Sequence, residues 1–280
     1  MSREQQSRNL PVTEINDASG WSALDLKELI QYRDLFLFLV WRNIKVLYAQ
    51  TVLGFMWAIL NPAIQIAIFT VIFGRVAKVP TEGIPYLLFV TVAIIPWTYM
   101  SEALTQSSQS LVQDQSILGK VYFPRLIYPT TPVLAKLVDF AISLVLIFMI
   151  MVYYGISPTW NFIYLPFIFM LMIIVPLGLG LWLSALAIRY RDVKFAMGFA
   201  IRMAMFSAPI VYSSATIPET YRFIYSLNPL VAVIEGYRAC LLGLPIDWQY
   251  IIPGSIVAVL ILISGAYYFK RMERVFVDVI

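Results

Sequence analysis

The chain has 280 residues, 60% of them hydrophobic and only 13% charged, with a net charge of +4. Soluble domains carry about 25% charged residues, so this composition excludes a soluble globular protein, and uncharged runs long enough to cross a bilayer make it an integral membrane protein. There is no histidine and a single cysteine, Cys240, which excludes disulfide frameworks and thiolate or imidazole metal sites within one chain. The basic excess follows the membrane and gives no nucleic-acid patch.

Residues 1–22 are polar (SREQQSRNLPVTEIND and on) and lack an apolar signal-peptide core, which predicts a short disordered cytosolic tail with no cleavable signal. From Ala23 to Gln50 the chain could form a helix of roughly 42 Å. At 100° per residue Lys27, Glu28, Gln31, Asp34, Arg42 and Lys45 fall in an arc of about 120°, with Arg33 and Asn43 outside it. Leu35 to Trp41 is too short to span, so the stretch reads as an amphipathic helix in the membrane interface. A tilted extension of the first span is the alternative.

Six spans follow, at about 52–74, 85–112, 130–154, 162–188, 195–213 and 249–269, the fifth barely long enough for a hydrocarbon core of about 30 Å. Six spans put both termini on one side. Fourteen Lys and Arg fall in segments assigned to that side and four, Arg75, Lys78, Arg222 and Arg238, on the other. The positive-inside rule therefore places both termini in the cytoplasm.

Two connecting segments are more than loops. Between the second and third spans, Gln113 to Pro129 (QDQSILGKVYFPRLIYP) displays Ile117, Leu118, Val121, Tyr122 and Phe123 between polar ends, and Pro124 stops any helix there. Apolar groups shown by such a loop imply headgroup burial or a protein partner. The second, Ser214 to Trp248, is too apolar for a solvated loop. Pro218 and Glu219 suit the first turn of a short helix; Asn228-Pro229 breaks it, and Val231 to Leu242 forms a second that Gly243 can cap. Two short helices dipping back into the membrane explain the pattern, as would a small external cap.

Four ionisable residues lie inside spans: Glu102, Lys136, Asp139 and Arg202. All sit about 9–15 Å from the cytoplasmic ends of their helices, where a charge must be paired or face water. Lys136 and Asp139 are three apart and can pair directly; Glu102 and Arg202 share a depth and suit a cross-helix pair. Such a network seals or lines a pathway, or else is a structural pair with snorkelling. Ser101, Thr105, Ser108 and Val112 form one stripe of the second span, with Gln106, Gln109 and Gln113 nearby. Packing through small polar residues and a polar pathway both produce such a stripe. No GxxxxGK[ST], HExxH, CxxC or GxSxG run occurs, so ATP-driven transport would need an ATPase on another polypeptide.

Six stretches in order resemble the membrane permease of polysaccharide ABC exporters, the ABC-2 type that exports O-antigen, capsule or teichoic acid. They are TVLGFMWAILNP (51–62), FGRVAKVPTEGIPYLLFV (73–90) with IPW (95–97), KVYFPRLIYP (120–129), RYRDVKFA (189–196), NPLVAVIEGYRACLLG (228–243) and YFKRMERVFVDVI (268–280). TVAII before Pro96-Trp97 and Gln113-Asp-Gln depart from the usual pattern. The resemblance implies an all-α membrane domain over 23–280, with an interface helix at 23–50 carrying Arg42 and Lys45. It further implies a cytoplasmic coupling helix at 113–126 that docks on the ATPase through Ile117, Leu118, Lys120, Val121, Tyr122, Phe123 and Arg125. Re-entrant gate helices would occupy 217–243, with Asn228, Pro229, Glu235, Tyr237 and Arg238 at the outer mouth. Two such permeases and two ATPases would export a lipid-linked polysaccharide, O-antigen above all, across the bacterial cytoplasmic membrane. ATP and Mg would be bound by the partner, leaving this chain no cofactor and no catalysis of its own. An ion-coupled secondary exporter, or a membrane-embedded glycosyl- or acyltransferase, are the alternatives.

Overall fold

The structure, a computed structural model, describes residues 30–49, 53–113, 124–190 and 192–273. Among them the chain is helical with no strand. We number the helices α1 (Arg33–Tyr48), α2 (Trp57–Phe69), α3 (Tyr86–Gln113), α4 (Ile127–Ala135), α5 (Leu137–Tyr154), α6 (Leu165–Arg189), α7 (Val193–Ser207), α8 (Glu219–Ser226), α9 (Pro229–Leu242) and α10 (Trp248–Glu273). A 3₁₀ turn at Gly54–Met56 and a π-helical stretch at Thr70–Val76 extend α2 at both ends.

Among the described residues five segments are long and apolar enough to cross a membrane: Gly54–Val76, Tyr86–Gln113, Ile127–Tyr154, Trp160–Arg189 and Trp248–Glu273. The span expected at 195–213 differs. Its helix, α7, has 15 residues, about 22 Å, and ends where Ala208 turns extended (φ −99°, ψ 149°). Residues 208–213 are a non-helical elbow. The expected third span starts earlier and is bent: Pro132 has no N–H to give, and the helix tightens at Lys136 (ψ −13°) between α4 and α5.

The central post is α3. Within its apolar window 72% of residues are buried, against 11% for Gly54–Val76, which therefore lies at the periphery. Leu88, Val92, Ile95, Tyr99 and Ala103 of α3 pack with Phe140 and Ile147 of α5, Met172 and Val175 of α6, and Val233 and Tyr237 of α9. Helices α6 and α10 meet backbone to backbone, because a Cβ on Gly265 would stand 2.4 Å from the Gly178 carbonyl oxygen. Small residues permit that approach in an apolar bundle.

The two ends of the bundle differ. At one, Leu39 of α1 packs with Leu111, Ile127, Tyr128, Leu181 and Phe269. This leaves Leu37, Phe38 and Trp41 exposed on α1. At the other end lie α8 and α9. Asn228 caps α9 by accepting from the Leu230 N–H, Pro229 occupies the first turn, and Gly243 ends it in the left-handed region (φ 72°). Residues Val231 to Leu242 are buried almost throughout, so this 14-residue helix is enclosed by the bundle rather than laid on it.

Candidate functional site

Lys136 sits at the α4–α5 bend, and Asp139 lies one turn on. Its ammonium is 2.6 Å from Glu102 Oε2 of α3 and 2.8 Å from Asp139 Oδ2. The spacing of Lys136 and Asp139 thus produces the pair expected of it. Glu102, however, joins Lys136 and not Arg202. Arg202 is exposed and makes no ion pair among the described residues. The reason is helical phase: α7 turns Met197, Ile201, Ala204 and Met205 inward, and Arg202 lies off that face. Beside the cluster is a cavity of about 230 Å³, bounded by Trp57 and Asn61 of α2, Thr98 and Glu102 of α3, and Asp139 and Phe140 of α5.

The polar residues of α3 divide by face. Ser107 is buried and donates to the Pro129 carbonyl at 2.6 Å, tying α3 to α4, while Ser108 and Ser110 are buried and bond back to their own helix. Ser101, Glu102, Thr105 and Gln106 line a groove against Ile201 of α7, and Gln109 continues that face toward Gln113, which donates to it at 3.4 Å. Packing and an open polar face therefore both hold, on different sides of one helix. The groove is bounded by α7, and α2 also packs on α3; the remaining faces of these two helices expose Ile64 and Ile68, and Phe199, Met203 and Phe206.

A second cluster surrounds Arg238 of α9, which is fully buried. Its guanidinium donates to the carbonyls of Ile210 (3.0 Å) and Tyr212 (3.3 Å) and to Glu235 Oε1 (3.0 Å). Its central carbon lies 3.5 Å from the Phe89 ring centroid. The Tyr86 hydroxyl donates to the Val211 carbonyl at 3.0 Å, and Ser213 donates to Glu82. Non-helical backbone in an apolar bundle needs such partners, and here Arg238 of α9 and Tyr86 of α3 supply them to the elbow after α7. Nearby, burial and a hydrogen bond with Tyr212 hold the Tyr225 phenol of α8 well above the ordinary tyrosine range. Tyr237, expected at the outer mouth, is buried in the core, and its hydroxyl donates to Met172 Sδ at 3.3 Å.

Of the residues expected to dock a partner, Ile117, Leu118, Lys120, Val121, Tyr122 and Phe123 lie outside the described residues. Arg125 is described, and it donates to the Glu273 carbonyl at 3.1 Å, at the last turn of α10. On α1, Lys45 stands 5.5 Å from the exposed Trp41 ring, and Arg42 is half-buried. Sequence reasoning missed Tyr86, Phe89, Glu82 and the 210–212 carbonyls. Backbone acceptors carry no residue-type signal, although Glu235 and Arg238 at one-turn spacing on an apolar helix hinted that a buried partner was needed.

Long apolar helices around a polar-faced post, with charge gathered into two buried clusters, have the build of a polytopic membrane permease. Residues 34–242 match the ABC-2 type transporter family, and the chain belongs to it. It is 29% identical to the O-antigen export system permease protein RfbA of Myxococcus xanthus over 76% of this chain and 82% of that one. It is 26% identical to the protein of the same name from Klebsiella pneumoniae, over 88% and 95%. With the polysialic acid transport protein KpsM of Escherichia coli it shares 24% identity over 70% and 77%.

Proposed function

We propose that this chain is the permease subunit of an ABC transporter that exports a lipid-linked polysaccharide, of the O-antigen kind, across the bacterial cytoplasmic membrane. The observation that carries this reading is the match, over 88% of the chain, to a relative named as an O-antigen export permease. Hydrolysis belongs to a separate ATPase with its own ATP and Mg, two copies of which work with two permeases. Both termini, α1 and residues 113–126 face the cytoplasm. The Ser101–Gln109 face of α3, between the exposed apolar sides of α2 and α7, would be closed by the second permease into a conduit whose hydroxyls and amides exchange hydrogen bonds with sugar. Closure of the ATPases on ATP pushes residues 113–126, and α8 with α9 forms the outer gate. ATP shifts this equilibrium only by its differential affinity for the two states.

Co-expression with a candidate ATPase subunit tests the reading. The expected result is a co-purifying complex whose Tyr122→Ala and Phe123→Ala forms assemble but lose export-coupled ATPase activity. Export that persists without any ATPase would overturn it in favour of an ion-coupled exporter.

A further inference from the structure

We propose that the cavity beside Glu102, Lys136 and Asp139 binds a primary ammonium group, and that an aminophospholipid headgroup supplies it. The charges give the first reason. Two carboxylates and one ammonium, with Nζ–O distances of 2.6 and 2.8 Å, sum to −1 when all are ionised. A net charge in a low-dielectric interior is costly, and one further monovalent cation brings the cluster to zero. The second reason is unused acceptors. Asp139 Oδ1 and Thr98 Oγ1 have no hydrogen-bond partner among the described residues, and both residues border the cavity. A buried carboxylate oxygen without a partner costs the desolvation of a charged acceptor, and a donor in the cavity that drew these side chains toward it would relieve that cost.

The third reason is the wall. Trp57, Tyr99 and Phe140 border the same cavity, and aromatic rings attract an ammonium while satisfying none of its hydrogen bonds. Carboxylate and hydroxyl acceptors beside rings suit an organic ammonium. A metal ion such as Ca²⁺ wants about six to eight oxygen ligands and would find too few. At about 230 Å³ the space exceeds what a single ion fills. Trp57 is exposed on its outer side and lies on the peripheral helix α2, beside the equally exposed Phe55 and Met56. A lipid's chains can lie on that surface while its headgroup enters. An amine on a transported molecule has the same chemistry, and the experiment separates the two. The proposal does not depend on the export reading.

The test uses the full chain, reconstituted in nanodiscs of equal phosphatidylethanolamine, phosphatidylcholine and phosphatidylglycerol, then stripped and weighed by native mass spectrometry. The expected result is one phosphatidylethanolamine retained per chain, with a preference of about tenfold over the other two. Asp139→Asn and Thr98→Val should each erase that preference, while Glu219→Gln on α8 leaves it intact. Thr98→Val changes neither charge nor volume much, so it remains informative if Asp139→Asn folds poorly. Free ethanolamine, titrated calorimetrically into protein in phosphatidylglycerol discs, is the second arm. Binding of ethanolamine without any lipid preference would overturn the lipid source and assign the site to a soluble amine. Equal retention of all three lipids with no ethanolamine heat, or a preference unchanged in both cavity variants, would overturn the site itself.

Discussion

Lys136 and Arg238 are both buried bases on apolar helices, and their surroundings differ in a way that separates a site from a latch. Arg238 has one carboxylate, two backbone carbonyls and a ring, which hold both terminal nitrogens of its guanidinium and leave only Nε without a partner among the described residues. Lys136 has two carboxylates, one of them 37% exposed, and borders a cavity. A planar guanidinium can hold several acceptors in fixed directions, whereas an ammonium is a point charge with rotatable donors. The guanidinium therefore fixes the elbow after α7, and the ammonium leaves its neighbours oxygen atoms to spare.

Substitutions at the two clusters should follow this contrast. Arg238→Met is expected to cost the most, about 3–5 kcal/mol, because it strands Glu235 and two elbow carbonyls together. Thermal unfolding in nanodiscs would measure it, and adding Glu235→Leu should recover only part, since the carbonyls stay unpaired. Glu235→Gln should come next, at about 2–3 kcal/mol, as Arg238 then loses its ion-pair partner. For Lys136→Met the expected loss is about 2 kcal/mol, smaller because Glu102 keeps some water, and a loss as large as that of Arg238→Met would break the comparison. Asp139→Asn should cost about 1 kcal/mol or less in the same assay, with Lys136 still held by Glu102. A loss as large as that of Glu235→Gln would mean the two clusters are equally closed.

Much of this was legible in the chain. Apolar run lengths gave the peripheral and central helices, Asn228-Pro229 and Gly243 bounded α9, and a three-residue spacing paired Lys136 with Asp139. The partner of Glu102 was not legible, because depth along two helices says nothing about their rotation, and the inward face of α7 sets Arg202 aside. The end of α7 at Ser207 did have a signal, Pro209, which pushes Ala208 to extended backbone. Residues 208–213 (APIVYS) are apolar all the same, and it is the distant Arg238 and Tyr86 that give their carbonyls partners. The polar stripe of α3 was read as packing or pathway because periodicity cannot count neighbours. Its Ser108 is buried, while Ser101 and Thr105 border the groove beside α7.

The hydrogen bond from Arg125 to the Glu273 carbonyl joins residues 148 positions apart in the chain. It attaches the start of α4 to the end of α10, and α10 is in turn set against α6 at Gly178 and Gly265 with no side chain between them. Mechanically this is a stiff joint: two beams in direct backbone contact have no compressible padding to absorb a load. A push delivered near residue 125 would therefore travel along α10 and α6 as one rigid pair, the length of the bundle, toward the end where α9 is seated.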